Sequence, residues 1–156
     1  MKSQDFGSNF LYNNVGGLGY GIGVNGAPNT GLNRSLAIEF DTYLDEDLLD
    51  PDDRHLSLHT NGRDSNNANE SFSLKLFSLN ESITTLCVKV EYDCGNSSLT
   101  VFAGNFSEPV IQVQVNLSEI LGTSEQIWVG FTSTTNNFPQ MHNVLSWNFS
   151  YGKNFD

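Results

Sequence analysis

Between Glu39 and Asp53 the chain carries eight acidic residues and no basic one, and His55 follows two positions later. The run begins in an alternating stretch. Leu36, Ile38 and Phe40 point one way while Ala37, Glu39, Asp41 and Tyr43 point the other, which is the period of a half-buried strand. Carboxylates two residues apart on one strand face lie within about 7 Å of each other. So many like charges raise carboxylate pKa values and strain a fold unless a cation joins them. Hard oxygen donors suit Ca²⁺, and the imidazole of His55 suits a transition ion such as Mn²⁺ or Zn²⁺. An acidic run can equally be a solvated face, and its count alone does not separate the two. The spacing Glu39, Asp41, Tyr43, Asp45, Asp50, His55, with Asp50-Pro51 turning the loop, favours a cage for two kinds of ion. An EF-hand does not fit, because Glu46 stands where its glycine should follow Asp45 and Asp52 where its glutamate should be.

The run Ala37-Ile-Glu-Phe-Asp-Thr-Tyr, with Asp50-Pro and Arg54-His behind it, resembles the metal-binding segment of the legume-type (L-type) lectins, in a bacterial or protist-like branch. Four further stretches are similar, in the family's order: Gly-Gly-Leu-Gly-Tyr-Gly at 16–21, Val-Lys-Val-Glu-Tyr-Asp at 88–93, Ile-Trp-Val-Gly-Phe-Thr-Ser-Thr-Thr at 127–135 and His-Asn-Val-Leu-Ser-Trp-Asn-Phe at 142–149. The resemblance implies a carbohydrate-binding protein and not an enzyme. Its ligands would be glycans of the mannose/glucose type or related ones, carried by glycoproteins. Glu39, Asp41, Asp50 and His55 match the transition-metal ligands, with Mn²⁺ the usual ion, and Ser65 matches a position that reaches it through water. Asp41 and Asp50 would bridge to Ca²⁺, completed by the Tyr43 carbonyl and the Asp45 side chain. For the sugar, Tyr43 would supply an aromatic wall and Gly16 or Gly17 a backbone N–H. Asn136, Asn137 and Phe138 would tune specificity from the 135–141 loop.

Two departures from the family stand out. Asp45 occupies a position that is normally Asn, whose amide both ligates Ca²⁺ and donates to a sugar hydroxyl; an ionised Asp cannot donate. The family's upstream Asp-Gly-Phe/Leu-Ala-Phe strand end is not found, so the chain resembles the family's C-terminal two-thirds and its sandwich is expected to be incomplete at the N-terminus. The Gly16–Gly23 run by itself also suits a phosphate loop, but no P-loop lysine or helix pattern follows it.

The elements that must position these residues read as strands. After a Gly/Asn-rich loop region over 1–34, alternation predicts strands at 35–43, 54–60, 71–78 and 84–93. Others follow near Leu99–Val101 and Ile111–Val115, then over Ile127–Thr134 and Val144–Tyr151. Ser118–Leu121 reads as a turn or a 3₁₀ piece. Sustained helical periodicity is absent, so the expected fold is an all-β, concanavalin-like β-sandwich (jelly roll) formed as one domain over 1–156, with its strands in 35–151. Trp128 and Trp147 read as core, His142 as structural, and His59 as a strand-surface or locally bonded side chain.

Composition narrows the function further. A net charge of −11 without a basic stripe argues against nucleic acid, and no apolar run reaches membrane-spanning length. The first residues lack the hydrophobic core of a signal peptide. Yet Asn33, Asn69, Asn80, Asn96, Asn105, Asn116 and Asn148 all head Asn-x-Ser/Thr sequons, where 19 Asn and 27 Ser/Thr would give about three by chance. A secreted or extracellular glycoprotein is expected, with a homo-oligomer left open. Cys87 and Cys94 flank a strand whose extended length is about 23 Å. A disulfide needs Cα atoms within about 7 Å, so the two are not expected to bridge each other.

Two rival functions remain. A jelly-roll glycoside hydrolase would use Glu39 and Asp41 as a carboxylate pair, but its Glu-x-Asp-x-(x)-Glu pattern meets Tyr43 and Leu44 here. A metal-stabilised structural or adhesion module with a degenerate sugar site is favoured by Asp45.

Overall fold

The computed structural model describes residues 34–44, 46, 50–60, 72–73, 85–104, 106–122, 126–133 and 140–152, with 72–73 described as backbone alone. Two antiparallel three-stranded sheets carry the fold. The first joins β1 (Leu36–Asp41), β2 (His55–Thr60) and β3 (Phe72–Ser73), in that order. The second joins β4 (Val88–Asp93), β5 (Ser98–Ala103) and β6 (Ile111–Gln114). Nearly every strand follows its neighbour in sequence, as antiparallel meanders do.

Alternation decides what each strand buries. In the first sheet Ile38 pairs with Leu58 and Phe40 with Leu56. In the second, Val101 pairs with Ile111 and Leu99 with Val113. Leu56, Val101, Ala103 and Ile111 form one buried cluster, against which Ile38, Phe40, Leu86, Val110 and Val113 pack. Because that cluster draws on both sheets, their apolar faces meet as the two layers of a sandwich. The described elements form an all-β sandwich, as the alternation predicts, with one short helix beside it. β2 is its centre, buried on both faces over five of its six residues.

Shorter features have local causes. The β4–β5 hairpin turns through Cys94–Ser97, where the Asp93 carboxylate accepts from the Gly95 N–H at 2.8 Å and from the Asn96 side-chain amide at 2.6 Å. Those bonds, the Asn96 amide first, hold the Asp93 carboxyl below its ordinary range. Cys87 and Cys94 are exposed at opposite ends of β4 and remain thiols, as the strand's length requires. The expected turn at 118–121 is a short α-helix, α1 (Leu117–Leu121). Asn116 caps it by accepting from the Ser118 and Glu119 N–H groups, a device that a turn reading of the same polar residues overlooks.

Three expectations fail here. The described parts of 127–134 and 144–151 lie outside both sheets. Trp128 and Trp147, read as core, are 56% and 51% exposed. These segments do meet each other, with Phe131 edge-on to Trp147 at 5.5 Å between ring centroids. His142, read as structural, is exposed.

Leu56 is fully buried in the shared core. Leu56→Ala should cost about 2–5 kcal/mol, read as a lower urea midpoint with an unchanged slope.

Candidate metal centre

The β1–β2 register sets Asp41 opposite His55, Glu39 opposite Ser57 and Ala37 opposite His59. All six therefore share the face turned away from the core. Ligand atoms of Glu39, Asp41 and His55 lie within 4.8 Å of one another, and Glu39 and His55 are both buried. The long loop between the two strands brings Asp50 back to the same place, its Oδ1 3.4 Å from His55 Nε2.

Each end of the loop is held by a short turn. Asp41 Oδ1 accepts from the Tyr43 N–H at 2.8 Å, and Asp52 Oδ1 accepts from the Arg54 N–H at 2.8 Å. The Asp52 carbonyl oxygen lies 3.0 Å from His55 Nδ1, so that nitrogen carries the proton it donates. Nε2 then faces Asp50 either as a second N–H or, beside a metal ion, as a lone pair. The Asp41 carboxyl is held above its ordinary 3.8, chiefly by burial. The Tyr43 N–H and His55 oppose that rise, while the neighbouring charges of Glu39 and Asp50 add to it.

Of the residues expected at the metal site, Glu39, Asp41, Asp50 and His55 are thus gathered together. Tyr43 stands at the loop's first turn and is 55% exposed. Asp45, Ser65, Gly16, Gly17, Asn136, Asn137 and Phe138 lie outside the described residues. Gln140, two positions beyond Phe138, accepts a hydrogen bond from the Thr42 hydroxyl at 2.7 Å, which ties the end of the 135–141 loop to the metal-binding segment. Ser57 was missed. His59 is only 8% exposed, so it is not a surface side chain; it does bond locally, to Ser57 at 3.0 Å, and also to Glu39, which is distant in sequence. Period-two alternation puts His55, Ser57 and His59 on one face, but only the strand register shows that this face meets Glu39.

The legume lectin domain family matches residues 10–155. The chain belongs to that family. Among its relatives, a lectin of Leucomphalos mildbraedii is 30% identical over 132 residues, covering 83% of this chain and 50% of the relative. Agglutinin-2 of Cladrastis kentukea is 32% identical over 130 residues, covering 80% and 41%. A probable inactive L-type lectin-domain containing receptor kinase III.1 of Arabidopsis thaliana is 32% identical over 153 residues, covering 86% and 23%. The chain thus spans half or less of the length of these curated relatives. These matches carry the family and not a branch within it. A legume lectin domain binds and does not catalyse, so the hydrolase reading of Glu39 and Asp41 falls away. Among the described residues no helix is long and apolar enough to cross a membrane.

The donor set of this lectin domain fits a transition ion, with one imidazole and several carboxylate oxygens gathered at a buried spot. Asp41 and Asp50 also fit the shared side of a calcium site, which takes oxygen donors alone.

The raised Asp41 pKa has a consequence in chelator. Folding favours the neutral acid, so the stability Asp41 contributes is full below 3.8 and is lost as pH rises through its folded value. In EDTA, Asp41→Asn should flatten the fall in thermal midpoint as pH rises from about 4 toward neutrality. With metal present the wild type should instead gain stability over the same range.

Proposed function

We propose that this chain is a metal-dependent lectin, binding glycans of the mannose/glucose type on a surface that Ca²⁺ and Mn²⁺, or another transition ion, keep rigid. The observation that carries this reading is the meeting of His55, Glu39 and Asp41 within ligand distance, with the His55 ring turned by the Asp52 carbonyl so that Nε2 faces the carboxylates. Glu39, Asp41, Asp50 and His55 hold the transition ion, with Ser65 reaching it through water. Asp41, Asp50, Asp45 and the Tyr43 carbonyl hold calcium. When bound, the ions neutralise the crowded carboxylates and stiffen the 41–50 loop, which lowers the ordering cost of sugar binding.

The sugar contacts belong to the protein. Tyr43 offers its exposed ring to the apolar face of a pyranose, and Gly16 or Gly17 offers a backbone N–H. Asn136, Asn137 and Phe138 complete the site from the loop whose end Thr42 anchors through Gln140. The relatives include a lectin and an agglutinin, names that agree with this reading. A secreted or extracellular glycoprotein, as a monomer or a homo-oligomer, is the setting that suits it. Among the sequon asparagines, Asn96 is exposed on the β4–β5 turn.

Asp45 favours a second reading, a metal-stabilised structural or adhesion module whose sugar site is degenerate, because a carboxylate lacks the amide donor a sugar hydroxyl would meet. Titration with mannose and glucose, with and without EDTA, separates the two. A lectin binds sugar only in the presence of metal, and a degenerate module holds metal without sugar. Because the ligands must be deprotonated, metal content measured after dialysis should fall below about pH 5. Full occupancy at pH 4 would sink the assignment.

A further inference from the structure

Glu39 is a buried carboxylate whose second oxygen, Oε2, is engaged by two donors at once. The Ser57 hydroxyl donates to it at 2.8 Å, and His59 Nε2 lies 2.6 Å away. The same His59 nitrogen is 3.0 Å from Ser57 Oγ, so the three groups close a small triangle. Every member is buried; the His59 and Glu39 side chains are only 10% and 5% exposed.

The strands make this triangle possible. Ser57 faces Glu39 directly across the ladder, while His59 stands one pair further along, opposite Ala37. Diagonal neighbours on a sheet face are about 7–8 Å apart, which is within reach of an imidazole. The small side chain of Ala37 leaves it room to lean toward Glu39. A bond as short as 2.6 Å to an ionised oxygen belongs to the strong, charge-assisted class. Such a bond restrains the carboxylate's rotation as well as satisfying it.

From this geometry we infer that His59 and Ser57 are positioning residues for the candidate metal centre. They hold Glu39 through Oε2, so that it offers its other oxygen, as a one-point ligand, toward Asp41 and His55. The His59 Nε2, committed to Glu39, does not serve as a ligand atom in this arrangement. This inference rests on the metal reading above and adds to it a residue class that contacts no ion. Outer partners of this kind typically govern metal affinity by about 10- to 100-fold.

The test measures Mn²⁺ binding to the full chain by calorimetry at neutral pH, alongside the visible spectrum of the Co²⁺-loaded protein. His59→Leu should bind Mn²⁺ about 10- to 100-fold more weakly and shift the Co²⁺ bands. His59→Gln, whose side-chain N–H can take the place of Nε2–H, should recover most of the affinity and the parent spectrum. A purely structural histidine would lower the thermal midpoint in both variants and leave affinity and spectrum alone, which would overturn the inference. If His59→Leu does not fold, Ser57→Ala decides, since it removes the other donor; unchanged affinity there also overturns the clamp. A Glu39→Gln control keeps the two levels apart. A wild type that binds no Mn²⁺, or binds it no better than Glu39→Gln, overturns the metal reading and this inference together. A wild type that binds through Glu39 while His59→Leu binds equally well overturns this inference alone.

Discussion

Glu39 and Asp41 sit two residues apart on one face of a single strand, and the charge of the first is buried. A carboxylate taken out of water must be matched by donors or by a cation, or it will give up its charge. The two residues meet this requirement differently. Glu39 is answered from within the fold, by Ser57 and His59 across the ladder. Asp41 is answered only in part, by the Tyr43 N–H and by His55, and its carboxyl still sits above its ordinary range. The side of the site that internal donors leave incomplete is the side that faces Asp50 and the open loop. One strand face thus combines a satisfied anchor with an unsatisfied edge, which is the asymmetry a metal site needs.

The ladder between β1 and β2 makes that combination possible, because it sorts residues onto two faces with two jobs. Leu56 enters the core shared with β5 and β6, while His55, Ser57 and His59 take the opposite, also buried face of β2. A slip of one residue in register would exchange the faces, burying the histidines among Val101 and Ile111 and stranding Leu56 among carboxylates. Hydrophobic burial on one side therefore specifies how Glu39, Asp41 and His55 are set together on the other. Core packing and candidate function share a single determinant.

Much of this was legible in the sequence. Alternation located β1, β2, β4, β5 and β6 to within a few residues, and the Glu39–His55 spacing named the side chains that the structure gathers. What escaped had physical reasons. The role of His59 depends on which residues of a different strand it lies beside, and no periodicity within one strand carries that information. Asn116 looks like any turn residue until its side chain is seen accepting two N–H groups at a helix start. The segments around Trp128 and Trp147 have strand-like alternation, yet they lie outside both sheets and about half of each indole is exposed.

The loop from Thr42 to Arg54 is where these threads meet. A flexible loop of that length would lose much freedom on closing over a sugar, and the weak, mostly polar contacts of a monosaccharide supply little to offset the loss. The fold reduces that freedom before any ligand arrives. Asp41 and Asp52 each fold the chain back on a backbone N–H two residues on, one at either end of the loop. Thr42 bonds to Gln140, and Asp50 reaches the His55 ring. Cations held by Asp41, Asp50 and His55 would act where the backbone turns cannot, on the carboxylates that repel one another across the loop. Tyr43 stands at one held end, exposed beside the turn that Asp41 makes.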